Sequence, residues 1–282
     1  MNVRRADFAG SWYPGDRSEC RRMIEAFMKE ARPCPNGERK HAGGIVPHAG
    51  WVFSGLTACN VIQCLQASRP QTVVLFGRHL HPGSPNFIMT QGAWETPLGN
   101  LSIDEELAGA LVAEFPFEVE TATRYGQDNT IELQLPFIRH FFPEAGIVPI
   151  GVPPAAESIR IGRRVVELAA SLKRDILVIG STDLTHYGMN YGFTPQGVGE
   201  KALDWVRSEN DRRVIDRMLT MDAEGVIEEG LRNQNACCAG AAAAVIAASR
   251  ALGVEAGQEL VYATSYDVRP DTSFVGYVGI VF

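Results

Sequence analysis

The sequence predicts an α/β fold: one domain over residues 1–282 with a central mixed, mostly parallel sheet flanked by helices. Three observations predict it. Short apolar runs of strand length alternate with amphipathic helical stretches along the whole chain. Three of these runs, at 44–46, 73–76 and 176–179, end in clusters of Gly, Pro and polar residues that carry histidine. No repeat, low-complexity tract or linker divides the chain. In open α/β sheets ligands sit outside the carboxyl ends of the strands, so these clusters point to one crevice.

Residues 7–17 are rich in Gly, Pro and aromatics and predict an ordered loop, with Trp12 and Tyr13 packed on the core or lining a site. A helix over 18–31 follows, with Cys20, Met23, Ile24 and Phe27 as its apolar stripe. Gly37-Glu38-Arg39-Lys40 reads as an exposed turn, and His41 as exposed. The run Gly44-Ile45-Val46 is a buried strand stopped by Pro47, which cannot donate to a ladder. His48 comes just past that stop, held in a stiff turn with Ala49-Gly50. A helix is expected over 55–65, with Cys59 and Cys64 as core residues.

Strands are expected over 71–76 and 86–91, separated by a loop carrying Arg78, His79 and His81. A turn-rich connector at 94–99 leads to a helix over 103–114, opened by Asp104. Asn129 fits an N-cap, with Glu132 three positions on as in a capping box. His140 reads as structural. A strand over 147–152 ends at Pro153-Pro154, and an amphipathic helix covers 158–172. The strand at 175–179 runs into Ser181-Thr182-Asp183-Leu184-Thr185-His186. Helices are expected over 201–219 and 223–231. An alanine-dense helix over 236–252 implies very close packing on the sheet. Strands at 259–266 and 273–282 close the chain.

Composition excludes several function classes. Hydrophobic residues make up 45% and charged residues 21%, an ordinary globular balance. A net charge of −7 argues against a nucleic-acid partner and against an anionic membrane surface. No apolar run has transmembrane length. Residues 1–7 lack the apolar core of a signal peptide. The six cysteines show no zinc-ribbon spacing, and a chain this long needs no staples, so a reducing cytoplasm is the expected location.

The residues able to carry chemistry are His48, His79, His81, Asp128, Asn129, Glu132, Asp183, His186 and Cys237. Cys237 is placed at the start of the alanine-dense helix, where the dipole and free N–H groups favour a thiolate. Two imidazoles and a thiolate make a three-ligand set with an open position, suited to zinc, copper or iron. His186, three residues after Asp183, suits a general acid or base.

Several stretches together resemble the Memo family: FAGSWYPGD at 8–16, VPHAGWVFSG at 46–55, WETPLG at 94–99, NTIELQLPF at 129–137, STDLTHYG at 181–188 and NACCAGAAAA at 235–244. They run nearly end to end and in order. Prokaryotic members are protein B of the AmmeMemoRadiSam system, which implies an AMMECR-like protein and a radical-SAM enzyme as partners. The family fold is similar to that of class III extradiol dioxygenases, which are non-haem iron enzymes. The resemblance implies one iron or copper ion, or zinc, held by two histidines and a cysteine. Those positions match His48, either His79 or His81 with His79 favoured, and Cys237. Cys238 stands where many relatives have glycine, and Asn129 where many have histidine. Asp183 and His186 match a pocket motif and imply proton transfer, with Asn129, Glu132, His81 and Trp51 as further pocket residues.

These readings converge on a metal-dependent, dioxygenase-like redox protein acting on a small molecule or peptide. Two alternatives stand beside it. One is a metal-free hydrolase or transferase with Cys237 as nucleophile. The other is a peptide-binding signalling module, since a eukaryotic relative is associated with phosphotyrosine peptides; the acidic balance and lack of an Arg cluster speak against it.

Overall fold

The computed structural model describes residues 2–35, 37 and 40–282. Glu38 and Arg39 of the expected turn lie outside the described residues. In chain order the strands are β1 Val3–Arg4, β2 Gly43–Val46, β3 Thr72–Gly77, β4 Asn86–Met89, β5 Ala93–Trp94, β6 Leu101–Ser102, β7 Phe117–Glu120, β8 Gly146–Gly151, β9 Ile176–Ser181, β10 His186–Tyr187, β11 Gln258–Thr264 and β12 Phe274–Val281. Nine of them form the main sheet, in the order β10-β12-β2-β9-β3-β8-β4-β7, with β11 paired to β12.

The four central strands, β2, β9, β3 and β8, are parallel to one another. They are buried along nearly their whole length, as near-continuous apolar strands must be when both faces are covered. Parallel pairing dominates this centre, whereas the flanks are mixed: β12 runs antiparallel to β2, and β4 antiparallel to β8. Register places Val46 opposite Ser181 and Phe76 opposite Gly180. His48, Asp183 and His79 lie two or three residues beyond these positions, so all three leave the sheet at one carboxyl edge.

Each face has its own cover. Gly44 and Ile179 are register partners and share a face, so Gly180 belongs to the other. A Cβ on Gly44 would meet Val61 at 2.7 Å, and one on Gly180 would meet Val245 at 2.6 Å. The helix Trp51–Cys64 therefore lies on the first face and the alanine-dense helix Ala239–Ala251 on the second. Small residues are required on the second face. A Cβ on Gly162, in the helix Ala156–Ser171, would come within 2.2 Å of the Ala244 carbonyl. Two helices this close leave no room for larger side chains.

The N-terminal segment is tied in from the side. β1, β5 and β6 form a separate three-stranded sheet. Arg4 is buried, with its guanidinium 3.5 Å from the Trp94 ring centroid and an ion pair to Glu120 at 2.9 Å. Trp94 thus belongs to a strand rather than to the expected connector. The first long helix, Arg17–Glu30, is capped by Asp16, whose Oδ1 accepts from the N–H groups of Ser18 and Glu19.

Several expectations are corrected. The second helix begins at Trp51 rather than near 55, leaving only four residues between it and β2. The helix expected over 201–219 is interrupted by a π turn at Val206–Asn210. Asp128, not Asn129, caps the turn Asn129–Glu132, accepting from Thr130 N–H at 3.0 Å. Cys64 is not a free core thiol: it forms a disulfide with Cys34, 30 residues earlier in the chain. The chain folds the segment after the first helix against the end of the second, bringing the two Cα atoms to 5.3 Å. Cys59 is a buried free thiol. His41 is half-buried rather than exposed, and its carbonyl accepts from the Ser68 hydroxyl. No helix among the described residues is long and apolar enough to cross a membrane.

Candidate metal centre

The loop after β2 is pinned from three sides. The His48 N–H donates to Asp183 Oδ1 at 2.7 Å, Asn129 Nδ2 donates to the His48 carbonyl at 3.1 Å, and Gln134 Nε2 donates to the Pro47 carbonyl at 2.9 Å. The buried imidazole is thereby aimed across the strand ends. Its Nδ1 lies 2.9 Å from Ser181 Oγ and its Nε2 3.3 Å from Cys237 Sγ. With Ser181 accepting at Nδ1, Nε2 is left as a donor atom for a metal or as a base, the arrangement that orients a ligating histidine.

His79 arrives from the loop after β3. The backbone turns at Arg78, which has φ 78°, an uncommon conformation for a residue with a Cβ. Arg78 is held there by Thr130 Oγ1, which accepts its N–H at 2.6 Å. Its guanidinium adds an ion pair to Glu120 at 2.6 Å and stacks 3.8 Å from the Phe87 ring centroid. The loop thus leaves β3 through a left-handed turn immediately before His79. His79 stands 4.9 Å from His48, ring centroid to centroid. His81 is exposed and outside this cluster, its N–H donating to Ser84 Oγ.

Cys237 lies just before the alanine-dense helix rather than inside its first turn, since Cys238 is the N-cap and the helix begins at Ala239. Its sulfur accepts the Asp183 N–H at 3.3 Å, and its own N–H donates to the Asp183 carbonyl at 3.1 Å. Burial opposes ionisation, but a hydrogen bond from the Cys238 thiol and the charge of His48 outweigh it and hold the Cys237 thiol well below its usual range. Burial also pulls His48 downward. Asp183 and the Cys237 sulfur more than compensate, raising His48 to about 9. Burial and the neighbouring Cys237 push the Cys238 thiol up. The centre thus holds a thiolate against an imidazolium, with Cys238 as a neutral donor.

One donor atom each from His48, His79, Cys237 and Cys238 can be chosen so that all lie within 4.8 Å of one another. Cys238 was not among the site residues expected from the sequence. The doubled cysteine at the start of a small-residue helix was the available signal. The set fits a metal ion chemically: two imidazoles and two sulfurs are the usual donors for zinc and copper.

Asp183 and His186 flank this set. Asp183 Oδ2 is 3.9 Å from His48 Nε2 and 4.0 Å from His186 Nε2. Burial raises the Asp183 carboxyl even though His48 pulls it down. His186 Nδ1 lies 3.1 Å from the Leu184 carbonyl, which can only accept, so in the neutral ring Nε2 is the basic nitrogen. A cavity of about 620 Å³ opens above these groups. His48, His79, Asn129, Asp183 and His186 line it, with Trp12 and Tyr191 among its walls. A second hollow of about 780 Å³, beside Cys34 and Cys64, contains none of the four donors.

Two expected pocket residues do other work. Trp51 is buried at the start of its helix, stacked 4.2 Å from Phe137, with Nε1 donating to the Leu133 carbonyl at 3.0 Å. The helix start turns its ring into the core. Glu132 is fully buried, and its carboxylate accepts from the N–H groups of Asp7 and Phe8 and from the Tyr13 hydroxyl. It anchors the N-terminal arm and through it Trp12, whose carbonyl accepts the Trp51 N–H at 2.9 Å. The arm accordingly does both jobs expected of it, Tyr13 in the core and Trp12 in the cavity wall.

Residues 4–281 match the family described as Memo-like protein. A MEMO1 family protein of Methanopyrus kandleri is 38% identical over 287 residues, covering 97% of this chain and 96% of that one. Another, from Pyrococcus furiosus, is 36% identical over 291 residues, covering 99% and 98%. The crystal structure of an uncharacterized protein from Escherichia coli K12 superposes with a TM-score of 0.57 at 14% identity. It covers 86% of this chain and all of that one, a likeness of fold alone. With sequence matched along its whole length and the α/β fold in common, the chain belongs to the Memo-like family.

Proposed function

We propose that this Memo-family protein is a metal-dependent redox protein whose ion is held by His48, His79 and Cys237. The convergence of imidazole and thiol donors within 4.8 Å, with both imidazoles lining a cavity, carries this reading. Iron or copper, when bound, would supply redox chemistry to a substrate in the cavity; zinc would supply Lewis acidity. Ser181 sets the orientation and tautomer of His48. Asn129 holds the loop that carries His48 and, as an amide, takes no part in moving protons. His186 Nε2 faces the cavity as the group able to take or give a proton, and Asp183 stabilises its charged form. Trp12 and Tyr191 make an aromatic wall suited to a flat or apolar substrate group.

One observation favours a second reading. The Cys237–His48 pair, 3.3 Å apart, is also a nucleophile beside a base. Chelator-competition titrations of the apo protein with Fe²⁺, Cu⁺ and Zn²⁺ separate the two. We expect one equivalent to bind wild type and His81→Ala, and His48→Ala and Cys237→Ala to lose tight binding. Absence of tight binding to wild type would favour the nucleophile.

A further inference from the structure

The geometry points to Cys238 as a fourth metal ligand, making the site of this chain a closed set of two nitrogens and two sulfurs. This rests on the reading of the same residues as a metal site and goes beyond the three-ligand arrangement with an open position. Consecutive side chains in an extended chain point to opposite sides. Here the backbone bends at Cys238, at φ −125° and ψ 54°, and its N–H is fixed to Thr182 Oγ1 at 3.0 Å. The bend brings the two sulfurs to 3.8 Å, far longer than a disulfide bond of about 2.05 Å, so they are separate donors.

Three of the six donor–donor spacings lie near tetrahedral values. Metal–sulfur bonds of about 2.3 Å and metal–nitrogen bonds of about 2.0–2.1 Å give tetrahedral edges of about 3.8 Å between sulfurs and about 3.6 Å between nitrogen and sulfur. The observed separations are 3.8 Å for Cys237–Cys238, 3.3 Å for Cys237 Sγ to His48 Nε2 and 3.5 Å for Cys238 Sγ to His79 Nδ1. Cys238 contacts His79 as Cys237 contacts His48, so both sulfurs lie within reach of an imidazole. On binding, Cys238 would release its thiol proton and His48 its imidazolium proton to solvent. Two thiolates make the site soft and favour zinc or copper(I) over iron, and they fill the coordination position that a three-ligand site leaves open, so the redox role would fall to copper, and zinc would be structural rather than a Lewis acid.

The test is anaerobic titration of the full-length apo protein with Co²⁺, followed by its sulfur-to-cobalt absorption in the near ultraviolet. Cys238→Ser should still bind one equivalent, with this absorption cut roughly in half and affinity weakened tenfold or more. Unchanged absorption and affinity in Cys238→Ser would overturn the fourth ligand while leaving the three-ligand site standing. Failure of wild type to bind Co²⁺, Zn²⁺ or Cu⁺ would overturn both. X-ray absorption of zinc-loaded wild type decides the matter without a variant: two sulfurs at about 2.3 Å support the inference, and one refutes it.

Discussion

Glu132 joins the N-terminal arm to the rest of the molecule, and removing its carboxylate should show how much that joint stabilises. The carboxylate accepts from Asp7 N–H at 3.0 Å, Phe8 N–H at 2.7 Å and the Tyr13 hydroxyl at 3.0 Å. Glu132→Ala strands all three donors. Tyr13 is buried and bears a cost of about 1–3 kcal/mol, and the two part-buried N–H groups add about 1 kcal/mol each, so about 3–5 kcal/mol in all. For a chain of 282 residues this lowers the melting temperature by roughly 5–8 °C.

The charge itself adds a pH dependence. Burial raises the Glu132 carboxyl from 4.5 to about 7, against the opposing hydrogen bonds from Phe8, Tyr13 and Asp7. A carboxyl raised in the folded state stabilises most fully below its unfolded value, and that contribution is lost as pH rises through about 7. The shift corresponds to about 3 kcal/mol. Urea unfolding at pH 5 and pH 8 should therefore show the advantage of wild type over Glu132→Gln shrinking by up to that amount at the higher pH. Limited proteolysis should cut the arm near Trp12 faster in Glu132→Ala. A cost below about 1 kcal/mol for the alanine variant, or a wild type–Gln difference equal at both pH values, would rule out this role for Glu132.

Other predictions address the packing and the loop that carries His79. Gly162→Ala should destabilise by about 1–3 kcal/mol in urea melts, because its Cβ would strike the Ala244 carbonyl. Gly109→Ala, on the helix Glu105–Val112 with open space around it, should stabilise by about 0.4–1 kcal/mol. At Arg78, glycine should be the milder substitution: both variants lose the Glu120 ion pair, but Arg78→Ala keeps a left-handed backbone that costs about 1 kcal/mol and Arg78→Gly does not. Equal denaturation midpoints for the two would contradict this. Cys34→Ser should lower stability by roughly 3–4 kcal/mol from its 30-residue loop; a change under about 1 kcal/mol would mean the pairing contributes little.

Much of the architecture was legible because the central strands are buried on both faces. Runs such as Thr72–Gly77 and Ile176–Ser181 must be nearly all apolar, and their abrupt polar ends locate the crevice. The alanine-dense helix was legible for a similar reason, since only a very close contact requires so many small residues. What was not legible depended on partners far along the chain. In Asp128-Asn129-Thr130 each residue can cap a helix, and local sequence does not choose among them. Glu132 has the spacing of a capping box, yet its carboxylate is taken by residues more than a hundred positions earlier. Cys34 and Cys64 carry no local sign of pairing. The strand Phe117–Glu120 does alternate Phe-Glu-Val-Glu, a signal that its shortness obscured. At the site, parallel order and register bring His48, Asp183 and His79 to one edge. That His79 joins the cluster while His81 stays exposed is a matter of loop conformation, which no periodicity displays.

The proposed function requires these imidazoles and thiols to hold a metal ion. Elemental analysis of protein purified anaerobically without chelators tests it most directly, run beside Cys237→Ala and His81→Ala. We expect about one iron, copper or zinc per chain in wild type and in His81→Ala, and loss of that metal in Cys237→Ala. Full occupancy in Cys237→Ala, or loss in His81→Ala with folding intact, would contradict the assignment.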